Sequence, residues 1–509
     1  MKNKIWIFLA VAIFVLLAQS PKPGFEPRAH HGWVASHGLA IASRANAQNG
    51  FLGYTCEVEN KDGRSLYYFD RYPVFFSATS HYLLSIFEHK STQITWSRYW
   101  MNLIYLLTML FVFLTFKSLF GDDKKALVAT LFCMSGRYFL EYKDMFHFDQ
   151  PAVLGLAALF WSWVRYYKLN DKTTVVWVSL LAPLMGRGYV SNFALLTWVL
   201  IELYGYLKRR EGSIWRFVTH RSMVCCLLGG VVSTSALVYN LAMESKVRQV
   251  PLSETSIVIS AKGRLGFDKS REQGDFENAT WGNLARKLVN RVFVGLSPFV
   301  LRDVGLPSVH DIGVSLLWLA FFILLYRKRS LWKKVWKQSK EENGKLLLLM
   351  ALSGVLWVIV LKRLIIFHDY TAEFLLGFYM VFWFLVTQWL WQLWSKKSLI
   401  GVALAVFVLS VGAKRYFDDQ YLNLVTQDTQ DMEQILAKTP AGSRVFVEGG
   451  YSNLIKNAPY APCYYLSEQI IVDQPDRADF RITRQIRDGN FGLTPNNKGI
   501  FLYRASDEK

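Results

Sequence analysis

The chain has 509 residues, of which 52% are hydrophobic, 16% aromatic and only 19% charged. That apolar load excludes disordered and fibrous classes, and apolar runs of about 20 residues, the length that crosses a bilayer core as a helix, exclude a single soluble domain. The formal net charge of +19 would suggest nucleic acid in a soluble protein. Here it follows membrane topology, because the cations gather in short loops of the kind that stay on the cytoplasmic side.

In chain order, Lys2 and Lys4 precede an apolar run over 5–17 that ends in Ala-Gln-Ser. The run suits a cleaved signal peptide or a retained first helix, and the charges of the later segments favour the retained helix with its N-terminus inside. Ten more spans are expected over 99–119, 125–142, 151–168, 173–187, 190–207, 222–242, 310–327, 345–361, 374–394 and 398–413. About eleven transmembrane helices result. The basic segments 208–221, 326–345 and 395–397 then fall inside; between Arg327 and Lys345 lie eight cations and two acids. The segments 20–98 and 243–309 become outer loops.

The tail, 414–509, is nearly neutral, with twelve cations and thirteen acids, and also falls outside. A helix is expected over 429–438 and strands over 444–448, 469–473 and 499–503. The expected fold class is therefore an all-α polytopic membrane protein, with a transmembrane module over 1–413 and a small soluble α/β periplasmic domain over 414–509. Cys133, Cys225 and Cys226 fall inside spans and read as small apolar packing residues. Cys56 and Cys463 both fall outside, where disulfides persist. A bridge between them is one reading, since pairing cannot be taken from sequence alone.

Polar and aromatic residues concentrate in the outer loops near span ends. A transporter would carry them mid-membrane on broken helices. The pattern points to chemistry at the membrane surface. The first loop opens Phe25-Glu26-Pro27-Arg28-Ala29-His30-His31-Gly32-Trp33, continues through an amphipathic stretch over 34–45, and reaches Tyr68-Phe69-Asp70-Arg71-Tyr72-Pro73. The second outer loop includes Asp144-Met145-Phe146-His147-Phe148-Asp149-Gln150-Pro151, and a late one includes Lys362, Arg363 and His368-Asp369-Tyr370. Asp149, just ahead of Pro151, also suits a helix start. Arg187-Gly188-Tyr189 reads as a turn between two spans, and Arg71 also suits an interfacial anchor. Adjacent histidines without a known third ligand are a weak metal signal, so a divalent cofactor stays open.

The order of these features resembles the membrane-embedded glycosyltransferases of the GT-C superfamily, especially their aminoarabinose-transferase and protein-mannosyltransferase-like bacterial branch. The matching residues are Ala42-Ser43-Arg44 at the end of the amphipathic stretch, Tyr68 to Pro73, Asp144 and Asp149 before a span, and His368-Asp369-Tyr370. The resemblance implies transfer of a sugar from a polyprenyl-phosphate carrier to a glycan, lipid or protein acceptor, at the periplasmic face of a bacterial inner membrane. It implies a base for the acceptor hydroxyl, with Glu26, His31, Asp144 and Asp149 as candidates. Many relatives carry Asp where this chain has His30-His31-Gly32-Trp33, which leaves the base open among them. Arg71, Lys362 and Arg363 would hold the leaving phosphate, assisted by cations or a metal as charge develops. His30, Trp33, Asp70, Tyr72, His368 and Tyr370 would contact substrate. An O-antigen ligase or polymerase would lack the soluble tail domain. A lipid-linked-sugar transporter or flippase would show paired polar residues deep in the spans and pseudo-symmetric halves. A scaffold without activity is the remaining alternative, and nucleic acid is not an expected partner.

Overall fold

The structure is a computed structural model that describes residues 23–25, 31–60, 63–68, 73–209, 214–265, 280–298, 307–360, 368–448, 458, 460–486 and 498–504. Helix α1 (His31–Arg44), strands β1 (Tyr54–Asn60) and β2 (Gly63–Tyr68), and α2 (Phe75–Ser85) precede the first long helix, α3 (Lys90–Phe120). Then come α4 (Asp123–Met134), α5 (Arg137–Glu141), α6 (Asp149–Leu169), α7 (Lys172–Leu181), α8 (Tyr189–Arg209), α9 (Ile214–Val218) and α10 (Arg221–Arg248). They are followed by α11 (Ser256–Leu265), α12 (Trp281–Leu296), α13 (Pro307–Arg327), α14 (Arg329–Ser353) and α15 (Val355–Val360). The chain ends in α16 (Leu376–Leu393), α17 (Lys396–Lys438), β3 (Arg444–Val447), α18 (Ala461–Tyr465), β4 (Ile470–Val472), β5 (Phe480–Ile486) and β6 (Lys498–Arg504).

Among the described residues six helical stretches are long and apolar enough to cross a membrane: Lys90–Phe120, Tyr189–Lys208, Arg221–Arg248, Arg329–Val360, Tyr370–Leu393 and Lys396–Tyr416. Two shorter apolar ones are Lys172–Leu184 and Trp318–Arg327. The run over 5–17 lies outside the described residues. The expected span over 151–168 forms α6, which is among neither group, and two further expected spans differ in detail. The one over 125–142 breaks after Met134, because the Arg137 N–H donates to the Ser297 carbonyl at 3.1 Å and Gly136 bridges Pro298. The one over 173–187 stops as a regular helix at Leu181, two residues before Pro183, which has no N–H to continue the ladder.

Capping residues mark two of the turns between helices. Asp122 accepts from the Lys124 N–H at 2.8 Å and Asp171 from the Thr174 N–H at 3.0 Å, each worth about 1 kcal/mol to its helix. Trp163, Trp198, Trp357 and Trp389 are fully buried at the centre of the bundle. Lipid tails are as apolar as these side chains, so close packing rather than a hydrophobic difference holds the helices together. Leu200, Leu227, Val231, Leu316 and Leu319 are exposed on the helix exteriors, where lipid suits them.

The tail differs more from expectation. Helix α17 runs unbroken for 43 residues, about 65 Å at the rise of an α-helix. No Gly or Pro interrupts it between Lys414 and Thr439. The expected boundary at 413/414 therefore falls inside one helix, and the helix expected over 429–438 is its last turns. The strands form one six-stranded sheet in the order β2-β1-β4-β3-β5-β6, with parallel pairs at its centre and antiparallel pairs at both ends. Val58 pairs with Ile471, so the first loop supplies two strands to a sheet expected from the tail alone. A disulfide between Cys56 and Cys463 fastens the two. Arg44, at the end of α1, donates to the Cys463 carbonyl and, at 3.2 Å, to that of Leu466.

Candidate active site

Helix α1 is buried along nearly its whole length and packs against α2, β1 and α18. It also lies directly on the loop that carries Asp144 to Phe148, because a Cβ at Gly38 would overlap the Phe146 carbonyl. That approach brings His31 to Asp144 and His37 to His147.

Asp144 is the centre of a buried charge group. It accepts from the Arg98 Nε at 2.9 Å and from the Arg98 Nη2. His31 Nε2 lies 3.1 Å from its Oδ1, and Lys414 Nζ lies 3.6 Å away. Lys414 pairs in turn with Asp418 at 2.5 Å. Beside them, Lys143 donates to Asn102 Oδ1 at 3.2 Å. Burial opposes a charge on Asp144, but the Arg98 and Lys414 cations and the His31 hydrogen bond outweigh it and hold the carboxyl well below the usual carboxylate range. Burial pushes the Lys143 ammonium down to about 8, with Asp144 opposing.

A second group forms around Asp149, the first residue of α6. His147 Nδ1 lies 2.5 Å from Oδ2 and Arg187 Nε lies 2.5 Å from Oδ1. His147 Nε2 meets His37 Nδ1 at 3.3 Å. Arg187 reaches on to the Tyr370 hydroxyl at 3.3 Å. The turn carrying Arg187 needs glycine before it. Gly186 has φ +55°, and a Cβ there would overlap the Phe148 carbonyl, which also accepts from the Arg187 N–H at 3.1 Å. Burial disfavours the charge on Asp149, yet Arg187 and His147 keep its carboxyl below the ordinary value. Burial lowers His147 despite the carboxylate beside it.

Aromatic rings cover both groups. Trp33 stacks on His368 with centroids 5.8 Å apart and planes at 13°. Tyr460 lies 4.8 Å from the His37 ring and 6.3 Å from Trp33. Tyr370 sits 5.3 Å from His368 and 6.0 Å from Tyr142, which stacks on His31. Arg291 donates to the His368 carbonyl. Gln150 donates to both oxygens of the buried Glu373, at 2.9 and 3.0 Å.

Six sequence candidates thus come together: His31, Trp33, Asp144, Asp149, His368 and Tyr370. Glu26, His30, Asp70, Arg71, Tyr72, Lys362 and Arg363 lie outside the described residues. Sequence reading did not single out His37, Arg98, His147, Lys414 or Asp418, and it favoured a turn over a site role for Arg187. Some signals were present: the His147-x-Asp149 spacing, and Lys414 with Asp418 one helical turn apart. Among the described residues no group of three or more His, Cys, Asp or Glu is arranged to hold a metal ion.

The cluster gathers where α3, α6 and α8 begin and where the apolar part of α17 ends, beside the disulfide-fastened sheet. By structure the chain is similar, over 94% of its length and 93% of the other, to ArnT from Cupriavidus metallidurans bound to undecaprenyl phosphate, with a TM-score of 0.55 at 12% identity. The fold is that of the GT-C membrane glycosyltransferases. Weaker likenesses are to an Archaeoglobus fulgidus oligosaccharyltransferase (TM-score 0.46, 10% identity, 94% of this chain and 65% of that one) and to the arabinofuranosyltransferase AftD from Mycobacteria (0.47, 10%, 98% and 36%). No protein-family model matches the sequence, and no curated protein matches it by sequence. Within this fold, segments distant in sequence build one buried polar cluster.

Proposed function

We propose that the chain transfers a sugar from a polyprenyl-phosphate donor to an acceptor hydroxyl at the outer membrane face, with the buried His–Asp–Arg cluster as its active site. The observation that carries this reading is the convergence of Asp144, Asp149, His31 and His368 at one end of a GT-C bundle, under a layer of aromatic rings. The ArnT neighbour, solved with undecaprenyl phosphate, supports a lipid-linked donor. The Cys56–Cys463 disulfide supports an oxidising compartment for the sheet and cluster, as the periplasm is.

The two carboxylates have different surroundings. Asp144 is matched by Arg98, His31 and Lys414 and acts as an electrostatic anchor joining the second loop, α1, α3 and α17. Asp149 faces His147 on one oxygen and Arg187 on the other, so it can orient a base and balance positive charge during proton transfer. Arg187 supplies a cation for the phosphate as it leaves with the electron pair of the glycosidic bond, and Arg71, Lys362 and Arg363 are the sequence's further candidates for that task. Trp33, Tyr370 and Tyr460 offer faces for a sugar ring.

The test is donor turnover. The purified chain in lipid is incubated with a panel of polyprenyl-phosphate sugars and candidate acceptors, and free polyprenyl phosphate is followed by mass spectrometry. Release from one donor, lost in Asp149→Asn with folding retained, is the expected result. No release from any donor by the folded wild-type chain would overturn the proposal.

A further inference from the structure

We infer that His37 is the group that takes the proton from the acceptor hydroxyl, through a relay in which His147 and Asp149 are its positioning partners. The inference rests on the glycosyl-transfer reading and adds to it the identity of the base.

The geometry is sequential. Asp149 Oδ2 lies 2.5 Å from His147 Nδ1, and His147 Nε2 lies 3.3 Å from His37 Nδ1. A carboxylate can only accept, so His147 carries its proton on Nδ1 and presents Nε2 as an acceptor. His37 must then donate from Nδ1, which leaves the lone pair of its neutral ring on Nε2. Exposure rises along the same path, from 0% at Asp149 through 2% at His147 to 8% at His37. His37 is the relay member nearest to where a substrate can arrive, and Tyr460, 4.8 Å from its ring, and Trp33 beyond it provide the faces for a sugar. The charged and titratable groups around His37 include His147 and Asp149 from the second loop, Arg187 from the turn before α8, His368 before α16 and Tyr460 before α18.

The step balances. The acceptor oxygen forms a bond to the anomeric carbon as the bond from that carbon to the phosphate oxygen breaks, and the phosphate leaves with the electron pair. The hydroxyl proton goes to His37 Nε2, while the Nδ1 proton of His37 moves to His147 Nε2. Positive charge ends on His147 against the Asp149 carboxylate, and the proton returns to water by the same path after product leaves. Arg187, on the other oxygen of Asp149, keeps that carboxylate ionised.

Two readouts on the full chain in nanodiscs test this. The first needs no turnover: histidine carbethoxylation by diethyl pyrocarbonate, mapped by mass spectrometry across pH. His37 should react faster than His147. In Asp149→Asn the pH midpoint for His37 should fall by at least half a unit, because the imidazolium loses its balancing charge. The second is the pH profile of donor turnover. His37→Gln should lower kcat/KM about 100-fold, a general-base magnitude, and abolish the rising acid limb. His147→Asn should shift that limb. An unmoved His37 midpoint in Asp149→Asn, or an unchanged pH profile in His37→Gln, overturns the relay while leaving glycosyl transfer standing. Absent turnover by wild type, with the His37 coupling intact, overturns the transfer reading and the base role together.

Discussion

Replacing Asp144 by Asn tests how the cluster is held together. The substitution keeps the shape and removes one charge. Arg98 and Lys414 then stay buried without the Asp144 charge, with Asp418 4.0 Å from Arg98 and 2.5 Å from Lys414. Removing one partner of a buried ion pair costs about 3–5 kcal/mol, because a desolvated charge is left uncompensated. Since Lys414 keeps a close partner, the lower end, about 3 kcal/mol, is expected, a factor of roughly 100 in the folded-to-unfolded ratio. The assay is loss of the monodisperse peak on heating in detergent, followed by fluorescence-detected size exclusion. Pairing Asp144→Asn with Arg98→Met should recover more than half of the loss, since the double variant removes the stranded charge as well. A single variant as stable as wild type, within about 0.5 kcal/mol, would refute the reasoning, for that is how an exposed side chain behaves.

Acid should act on the same group. The Asp144 carboxyl is held below its ordinary value of 3.8, so its contribution is complete above that pH and is lost as pH falls toward the folded value. Stability in detergent measured below pH 3.8 should therefore fall less steeply in Asp144→Asn than in wild type. Gly186→Ala should cut donor turnover by at least tenfold at unchanged expression, because the added Cβ overlaps the Phe148 carbonyl and displaces Arg187 from Asp149; wild-type kcat/KM in that variant would contradict the role given to the turn. Cys463→Ser should destabilise the chain. Loop closure over 407 residues is worth about 6 kcal/mol for a free coil, and inserted spans shorten the effective loop, so about 2–4 kcal/mol is expected in a thermal assay with and without reductant. Finally, with Cys133, Cys225 and Cys226 replaced by Ala, Asp473→Cys at an exposed position after β4 should react with an impermeant thiol reagent in intact cells. Labelling only after lysis would reverse the proposed side of the sheet and cluster.

Membrane spanning was legible because it is local. Twenty apolar residues in a row satisfy their own backbone hydrogen bonds as a helix whatever lies around them. The same holds for the strands near 444–447, 470–472 and 498–504, whose short β-branched and aromatic runs carry their own signal. Asp144, Asp149 and His368 could be singled out because ionisable side chains at span ends stand out against the apolar runs that flank them. The order of loops, spans and short motifs was enough to suggest the GT-C fold that the structure bears out.

What the sequence could not supply was partnership between distant segments. β1 lies about 400 residues from β4, yet the two pair, and nothing in Tyr54–Asn60 names Ile470–Val472 as its neighbour. His37 read as one polar residue on an amphipathic stretch, and only the packing of Gly38 on the Phe146 carbonyl turns it onto His147. Arg187 satisfied the composition of a turn, and its charge acquires meaning only because the Gly186 backbone sets it against Asp149. Local hydrogen-bonding and hydropathy rules act within a few residues and are written in the chain. Buried ion pairs and hydrogen-bond relays depend on which surfaces meet, and that was decided by tertiary packing.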